Sequence, residues 1–154
     1  MQLHILSGEI HSGKTTFLLN YIEHTKNCAG ILSPVISDKR YFYCIESKET
    51  KLMQAEEFDK EILKIGKYRF SKDAFQWAIQ KIEGSLNRKS ELLIIDEIGP
   101  LELNGNGFSE IVKKILNKPS GVTNLLLVIR VNVLKEVLDY FNLNETRINY
   151  WKWK

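Results

Sequence analysis

The sequence predicts an α/β fold: a mostly parallel sheet with helices on both faces and a small antiparallel insert. Three observations point to it. Leu92-Leu93-Ile94-Ile95 and Leu125 to Ile129 are near-continuous apolar runs, the pattern of parallel strands buried on both faces. Segments with the 3.6-residue apolar period alternate with such runs. A short apolar stretch, Leu3 to Leu6, leads into the glycine-bounded loop Gly8-Glu9-Ile10-His11-Ser12-Gly13-Lys14-Thr15, and a helical pattern follows. At 154 residues the chain makes a single domain, residues 1–154, with a sizeable core.

The elements follow in order. Leu3-His4-Ile5-Leu6 is the first strand, and Phe17, Leu18, Tyr21 and Ile22 share one face of the first helix. Asn27 to Gly30 read as a turn and Ile31 to Ile36 as the second strand, with Pro34 marking an edge position or a bulge. Ser37 to Arg40 is a polar turn. Tyr41 to Ile45 is rich in aromatic and β-branched residues, and Lys51 to Ala55 can pair back on it, so the antiparallel insert spans 31–55. Residues 56–64 are charged and irregular, and Ile65 to Phe70 is one more short extended piece. Ser71 caps a helix that carries Phe75, Ala78, Ile79, Ile82 and Leu86 on one face. Gly99-Pro100 breaks the run that ends in Asp96. From Phe108, the positions Ile111, Val112, Ile115 and Leu116 trace a helix that Pro119 and Gly121 terminate. The Leu125 to Ile129 strand precedes a last helix through Val133, Leu134, Val137, Leu138 and Phe141. The ending Tyr150-Trp151-Lys152-Trp153-Lys154 interleaves aromatics with lysines, as base-stacking segments do. A terminal strand closing over apolar surface is the preferred reading.

Chemistry concentrates in two places. The loop fits G-x-x-x-x-G-K-[ST], the phosphate-binding or Walker A pattern. Gly8 and Gly13 let consecutive amides turn inward on a phosphate, and the helix starting near Lys14 points its positive end at the same anion. Gly8, Glu9, Ile10, His11, Ser12, Gly13, Lys14, Thr15 and Thr16 are therefore the expected nucleotide-binding segment. Glu9, Ile10 and His11 hold its variable positions, with Glu9 and His11 facing solvent. Lys14 reaches the β- and γ-phosphates, and Thr15 offers its hydroxyl to Mg²⁺. The second place is Leu92 to Glu97. An acid at the carboxyl end of a buried strand in this fold lies beside the phosphate loop, so Asp96 is the Walker B candidate for Mg²⁺. Glu97, one residue on, is placed to orient and deprotonate an attacking water. A further cation near the γ-phosphate is Arg130, which follows the Leu125–Ile129 strand at its carboxyl end; Lys39 and Arg40 are the alternative. The expected catalytic set is Glu97, Lys14 and Arg130.

Composition narrows the class. The 22 basic and 19 acidic side chains leave +3, dispersed along the chain, without the basic stripe of a nucleic-acid binder. Cys28 and Cys44 form no CxxC and sit near no histidine cluster, which disfavours a metal–thiolate site and suggests two small buried thiols in a reducing compartment. No signal peptide and no apolar run of membrane-spanning length is visible, so a cytoplasmic location is expected. No guanine-reading Asn-Lys-x-Asp is present.

Together these residues resemble the THEP1-type nucleoside-triphosphatase family. The resemblance runs through Gly8 to Thr16 as GxxxxGKTT, Gly30, Ile65-Gly66-Lys67-Tyr68, and most specifically Ile95-Asp96-Glu97-Ile98-Gly99-Pro100-Leu101-Glu102-Leu103. It implies a small RecA-like P-loop protein that slowly hydrolyses several nucleoside triphosphates to diphosphate and phosphate with Mg²⁺. Two departures stand out. Ile10-His11 occupies the place of a Pro-Gly pair, and the segment after Gly30 lacks the family's acid and arginine, although Lys39 and Arg40 follow. Hydrolysis is the leading expectation. A small-molecule or nucleoside kinase with its acceptor in the insert, and a nucleotide-gated accessory protein with an unseen protein partner, are the alternatives.

Overall fold

The computed structural model describes residues 1–118 and 121–154. Five parallel strands form the body of an eight-stranded sheet: β1 (Gln2–Gly8), β2 (Cys28–Leu32), β8 (Ser90–Ile98), β9 (Val122–Arg130) and β10 (Ile148–Tyr150). Their spatial order is β10-β1-β9-β8-β2. An antiparallel wing continues the sheet beyond β2 through β4 (Lys39–Cys44), which pairs with β3 (Val35–Ile36) and β5 (Thr50–Leu52). A separate two-stranded hairpin, β6 (Ile62–Ile65) and β7 (Tyr68–Ser71), turns at Gly66-Lys67.

The central strands explain the apolar runs. On β8 and β9, Leu92 to Asp96 and Leu125 to Ile129 are all buried. Their alternate side chains enter two different cores. Leu93, Ile95, Leu125, Leu127 and Ile129 join the larger core with α2 (Lys72–Leu86), α4 (Ser109–Asn117) and α5 (Leu134–Tyr140). Leu92, Ile94, Leu126 and Val128 face α1 (Lys14–Glu23) and the Trp151 and Trp153 side chains. A short helix, α3 (Pro100–Leu103), follows β8. No helix among the described residues is long and apolar enough to cross a membrane.

Several boundaries differ from the sequence reading. Cys28 to Gly30 belong to β2 rather than to a turn. Gly30 has φ +112, and a Cβ there would overlap the Ile94 carbonyl of β8, so the strand approaches its neighbour where only glycine fits. The expected 31–36 strand is interrupted at Ser33-Pro34: proline cannot continue the ladder, and its carbonyl instead accepts Tyr41 N–H at 2.9 Å. The expected hairpin of Tyr41–Ile45 with Lys51–Ala55 forms as β4 and β5. The antiparallel part does not stop at residue 55, because the β6–β7 hairpin joins it through Ala55 N–H to Arg69 O and Ser71 N–H to Met53 O, both 2.9 Å. Ser71 caps α2 as expected, accepting Ala74 N–H at 3.2 Å. Pro119, the expected helix stop, lies outside the described residues. Cys44 is buried but Cys28 is only half-buried.

The chain end closes over apolar surface. β10 runs parallel to β1, and Trp151 N–H donates to Ile5 O. The Trp151 ring then sits 5.0 Å from Tyr21, while Trp153 Nε1 donates to Ser7 O at 3.0 Å and its ring lies against Gly8.

Candidate active site

Parallel strands deliver their carboxyl ends to one edge, and register decides which residues meet there. Gly8 is paired with Arg130, and Asp96 with Val128. Ile98 then pairs with Ile129, so Glu97 is an extra residue in β8. Such a bulge re-aims a side chain out of the alternation. The four strand ends of β1, β2, β8 and β9 thus bring Lys14, Ser33, Asp96, Glu97 and Arg130 to one place.

The phosphate loop closes on itself through its lysine. Lys14 is 4% exposed, and its Nζ donates to the carbonyls of Glu9 at 2.6 Å and Gly8 at 3.2 Å. A buried ammonium needs such partners. Glu97 Oε2 lies 3.7 Å away as its counter-charge. Gly13, with φ +97, turns the chain into α1. Ile10 to Thr16 line a trough of about 250 Å³ that extends along α1 to Leu19 and is walled by Ser33, Arg40 and Glu97. Gly8 and Glu9 fall outside that lining and act through their carbonyls. Glu9 and His11 are exposed, as expected. His11 has φ +57, the left-handed region that favours glycine.

Asp96 stands opposite the loop. Its Oδ2 accepts the Thr15 hydroxyl at 2.7 Å and Ser33 N–H at 3.0 Å. Burial and the adjoining Glu97 carboxylate push its carboxyl above the usual range, against those two hydrogen bonds and the Arg40 charge. Ser33 Oγ is buried with no hydrogen-bond partner among the described residues. The set of oxygen donors, Asp96, Thr15 and an orphaned Ser33 hydroxyl, fits a hard divalent cation bound with few protein ligands beside substrate phosphates. A positive ion there would also relieve the cost of a buried carboxylate.

Glu97 bridges the charges. Its Oε1 accepts Arg130 Nε at 2.6 Å, and Arg130 is 26% exposed. Arg130 therefore sits in the site with Glu97 and Lys14. Arg40 reaches the same wall from the insert, donating to Ser33 O at 3.1 Å, whereas Lys39 is exposed.

Two residues of the site were not singled out in the sequence. Ser33 follows an apolar strand, and nothing in its spacing separates it from an ordinary strand-end serine. Glu102, noted only as part of the signature, is 2% exposed and accepts Gly99 N–H at 2.8 Å and Phe108 N–H at 3.1 Å. It ties the turn after Glu97 to the start of α4. Burial pushes its carboxyl up to about 7 despite those donors.

Comparison with known proteins gives the family and the fold. A family model described as NTPase matches residues 4–149. The nucleoside-triphosphatase THEP1 of Sulfurisphaera tokodaii is 33% identical over 121 residues, 73% of this chain and 70% of that protein. Its namesake from Thermotoga petrophila is 30% identical over 122 residues, 77% of this chain and 68% of the relative. In fold, the chain superposes on the crystal structure of THEP1 from Aquifex aeolicus with a TM-score of 0.73 at 20% identity, covering 99% of this chain and 90% of that one. The solution structure of a human cancer-related nucleoside triphosphatase gives 0.69 at 18% identity, covering 99% and 88%. A P-loop core matched over nearly its whole length by the NTPase model, with THEP1 relatives at these identities, places the chain in the THEP1-type NTPase family.

Proposed function

We propose that this chain is a nucleoside-triphosphatase that hydrolyses NTP to NDP and phosphate, with Mg²⁺ and with little preference for the base. One observation carries the reading. Glu97, an extra residue in β8, lies between Lys14 and Arg130 at the edge where the phosphate loop ends.

The loop amides and the α1 N-terminus receive the phosphate chain in this reading. Lys14 exchanges its carbonyl partners for β- and γ-oxygens, and it neutralises charge there as the transition state develops. Thr15 and Asp96, with Ser33 beside them, would hold Mg²⁺, whose chemistry is to draw charge from the phosphate oxygens. Glu97 accepts a hydrogen bond from water, aligns it with the γ-phosphorus and takes its proton. Arg130 keeps Glu97 oriented and adds a positive charge near the γ-phosphate. Broad base use is supported by the lack of a recognisable base-reading motif in the sequence, with no Asn-Lys-x-Asp for guanine. The relatives' names, nucleoside-triphosphatase, support the same activity.

Phosphate release from ATP, GTP, CTP and UTP, with Mg²⁺ and with a chelator, tests this. Release from all four that stops on Mg²⁺ removal, and falls roughly a hundredfold or more in Lys14→Ala, is expected. Metal-independent release, or none, would contradict it.

A further inference from the structure

A second cavity of about 330 Å³, lined by Arg130, adjoins the phosphate trough and shares Ile10, His11, Ser33, Val35, Arg40 and Glu97 with it. Beneath it Phe42, Phe75 and Phe108 pack edge to face or tilted, with centroids 4.9, 5.3 and 5.5 Å apart. Phe42 and Phe108 are fully buried, so they support the cavity, and its open aromatic faces are Tyr68 and Phe70, whose rings stack at 6.1 Å. The β6–β7 hairpin supplies a wall through Ile65, Tyr68 and Phe70. Asp38 and Gln54 offer polar groups within the lining.

The position matters more than the size. The loop sets the direction of a bound triphosphate, with Lys14 on the β- and γ-phosphates. A terminal phosphate held by Lys14 would then face Glu97, 3.7 Å from the Lys14 ammonium, and the trough would carry the nucleoside along α1 toward Leu19. The aromatic cavity is thus at the end from which a nucleophile approaches. Water needs no apolar room of this volume there, whereas about 300 Å³ is where small-molecule sites begin.

We propose that this cavity is a phosphoryl-acceptor site for a small molecule with a planar aromatic body and a free hydroxyl. The proposal rests on the hydrolase reading of Lys14 and Glu97. The ring lies against Tyr68 and Phe70 of the hairpin wall, in the edge and offset geometries that such faces favour. The hydroxyl is presented to Glu97 in place of water. Its oxygen forms a bond to the γ-phosphorus while its proton passes to the Glu97 carboxylate. The bond from the γ-phosphorus to the β,γ-bridging oxygen breaks, and its electron pair leaves on the nucleoside diphosphate. The products are a phosphate monoester, NDP and the proton that Glu97 then releases.

The test uses γ-³²P-labelled ATP and GTP with Mg²⁺ and separates organic phosphate ester from free phosphate. Probes fall in two arms: adenosine, uridine and thymidine as nucleosides, and pyridoxine and 4-(2-hydroxyethyl)phenol as other aromatic alcohols. Label in an ester of at least one probe, saturable with probe concentration, is the expected result, and the arm that carries it assigns the source of the ring. Ile65→Trp, which fills the cavity, should cut transfer at least tenfold and leave hydrolysis within about twofold. Tyr68→Ala, at an exposed wall position, should raise the acceptor KM at least fivefold with the same hydrolysis. Label in free phosphate alone across both arms, or transfer unchanged in both variants, overturns the proposal. Absence of any phosphate release would instead overturn the hydrolase reading beneath it.

Discussion

Glu102 shows how one side chain can hold a catalytic neighbour in place at a cost that depends on pH. Its two oxygens bind separate backbone donors, Gly99 N–H and Phe108 N–H, in a buried setting that favours the neutral acid. The folded-state value of about 7 lies above the ordinary 4.5, so the folded protein binds more protons than the unfolded chain between those values. This group's contribution is therefore most favourable below pH 4.5 and is lost as pH rises to about 7, by about 3 kcal/mol. Glu102→Gln keeps the shape but turns an amide N–H₂ toward one backbone donor. Urea unfolding should find it less stable by roughly 1–3 kcal/mol at pH 5. The deficit should shrink toward pH 8, where the wild-type carboxyl is charged. Other residues of the site differ in how far sequence exposes them. Lys14, Thr15, Asp96 and Glu97 were legible because phosphate chemistry fixes their spacing against glycines and a buried strand. Arg130 was legible as a strand-end cation but open against Arg40, and both arginines line the same cavity. Ser33 and the left-handed His11 were not, since neither an orphaned hydroxyl nor a φ value leaves a mark in composition or period.

At the scale of elements, β2 is the place where sequence and packing part company. Asn27 and Gly30 are turn-forming residues and made the segment between them read as a turn, yet Cys28 to Gly30 pair with Leu92 to Ile94 of β8. The contact is tight enough that glycine is required: Gly30 has φ +112 and no space for a Cβ against the Ile94 carbonyl. Gly30→Ala should cost about 3 kcal/mol or more, from strain and displacement of a central strand together. Thermal melting and the yield of folded protein report it. A melting temperature within 2 °C of wild type would contradict this packing, since such a cost is worth several degrees in a domain of this size. The β6–β7 hairpin was seen only in part, because strands of four residues, each with one charge, are too short to establish a period beside the charged stretch before them. The long elements were legible for two reasons: α2 repeats its apolar period over 15 residues, and β8 and β9 each carry an unbroken apolar run, Leu92 to Ile95 and Leu125 to Ile129.

For the whole molecule, the site is a property of the sheet. No single segment contains it. Register places β1, β8 and β9 so that Gly8, Glu97 and Arg130 meet, while two cores on opposite faces hold those strands in register. The Trp153 ring braces Gly8 from behind, tying the end of the chain to the phosphate loop. The parallel α/β architecture was readable from alternating buried runs and amphipathic helices. The cavity beside Glu97 was not, because Phe42, Phe75 and Phe108 come from β4, α2 and the approach to α4, and only folding brings them together. The central claim is that Glu97, carried out of register by β8, activates the nucleophile on the γ-phosphate. Single-turnover phosphate release by Glu97→Gln, measured beside its affinity for a non-hydrolysable ATP analogue, tests that claim most directly. The expected result is a rate roughly 10²- to 10⁴-fold below wild type with affinity within about threefold. Release at the wild-type rate with affinity intact would contradict it.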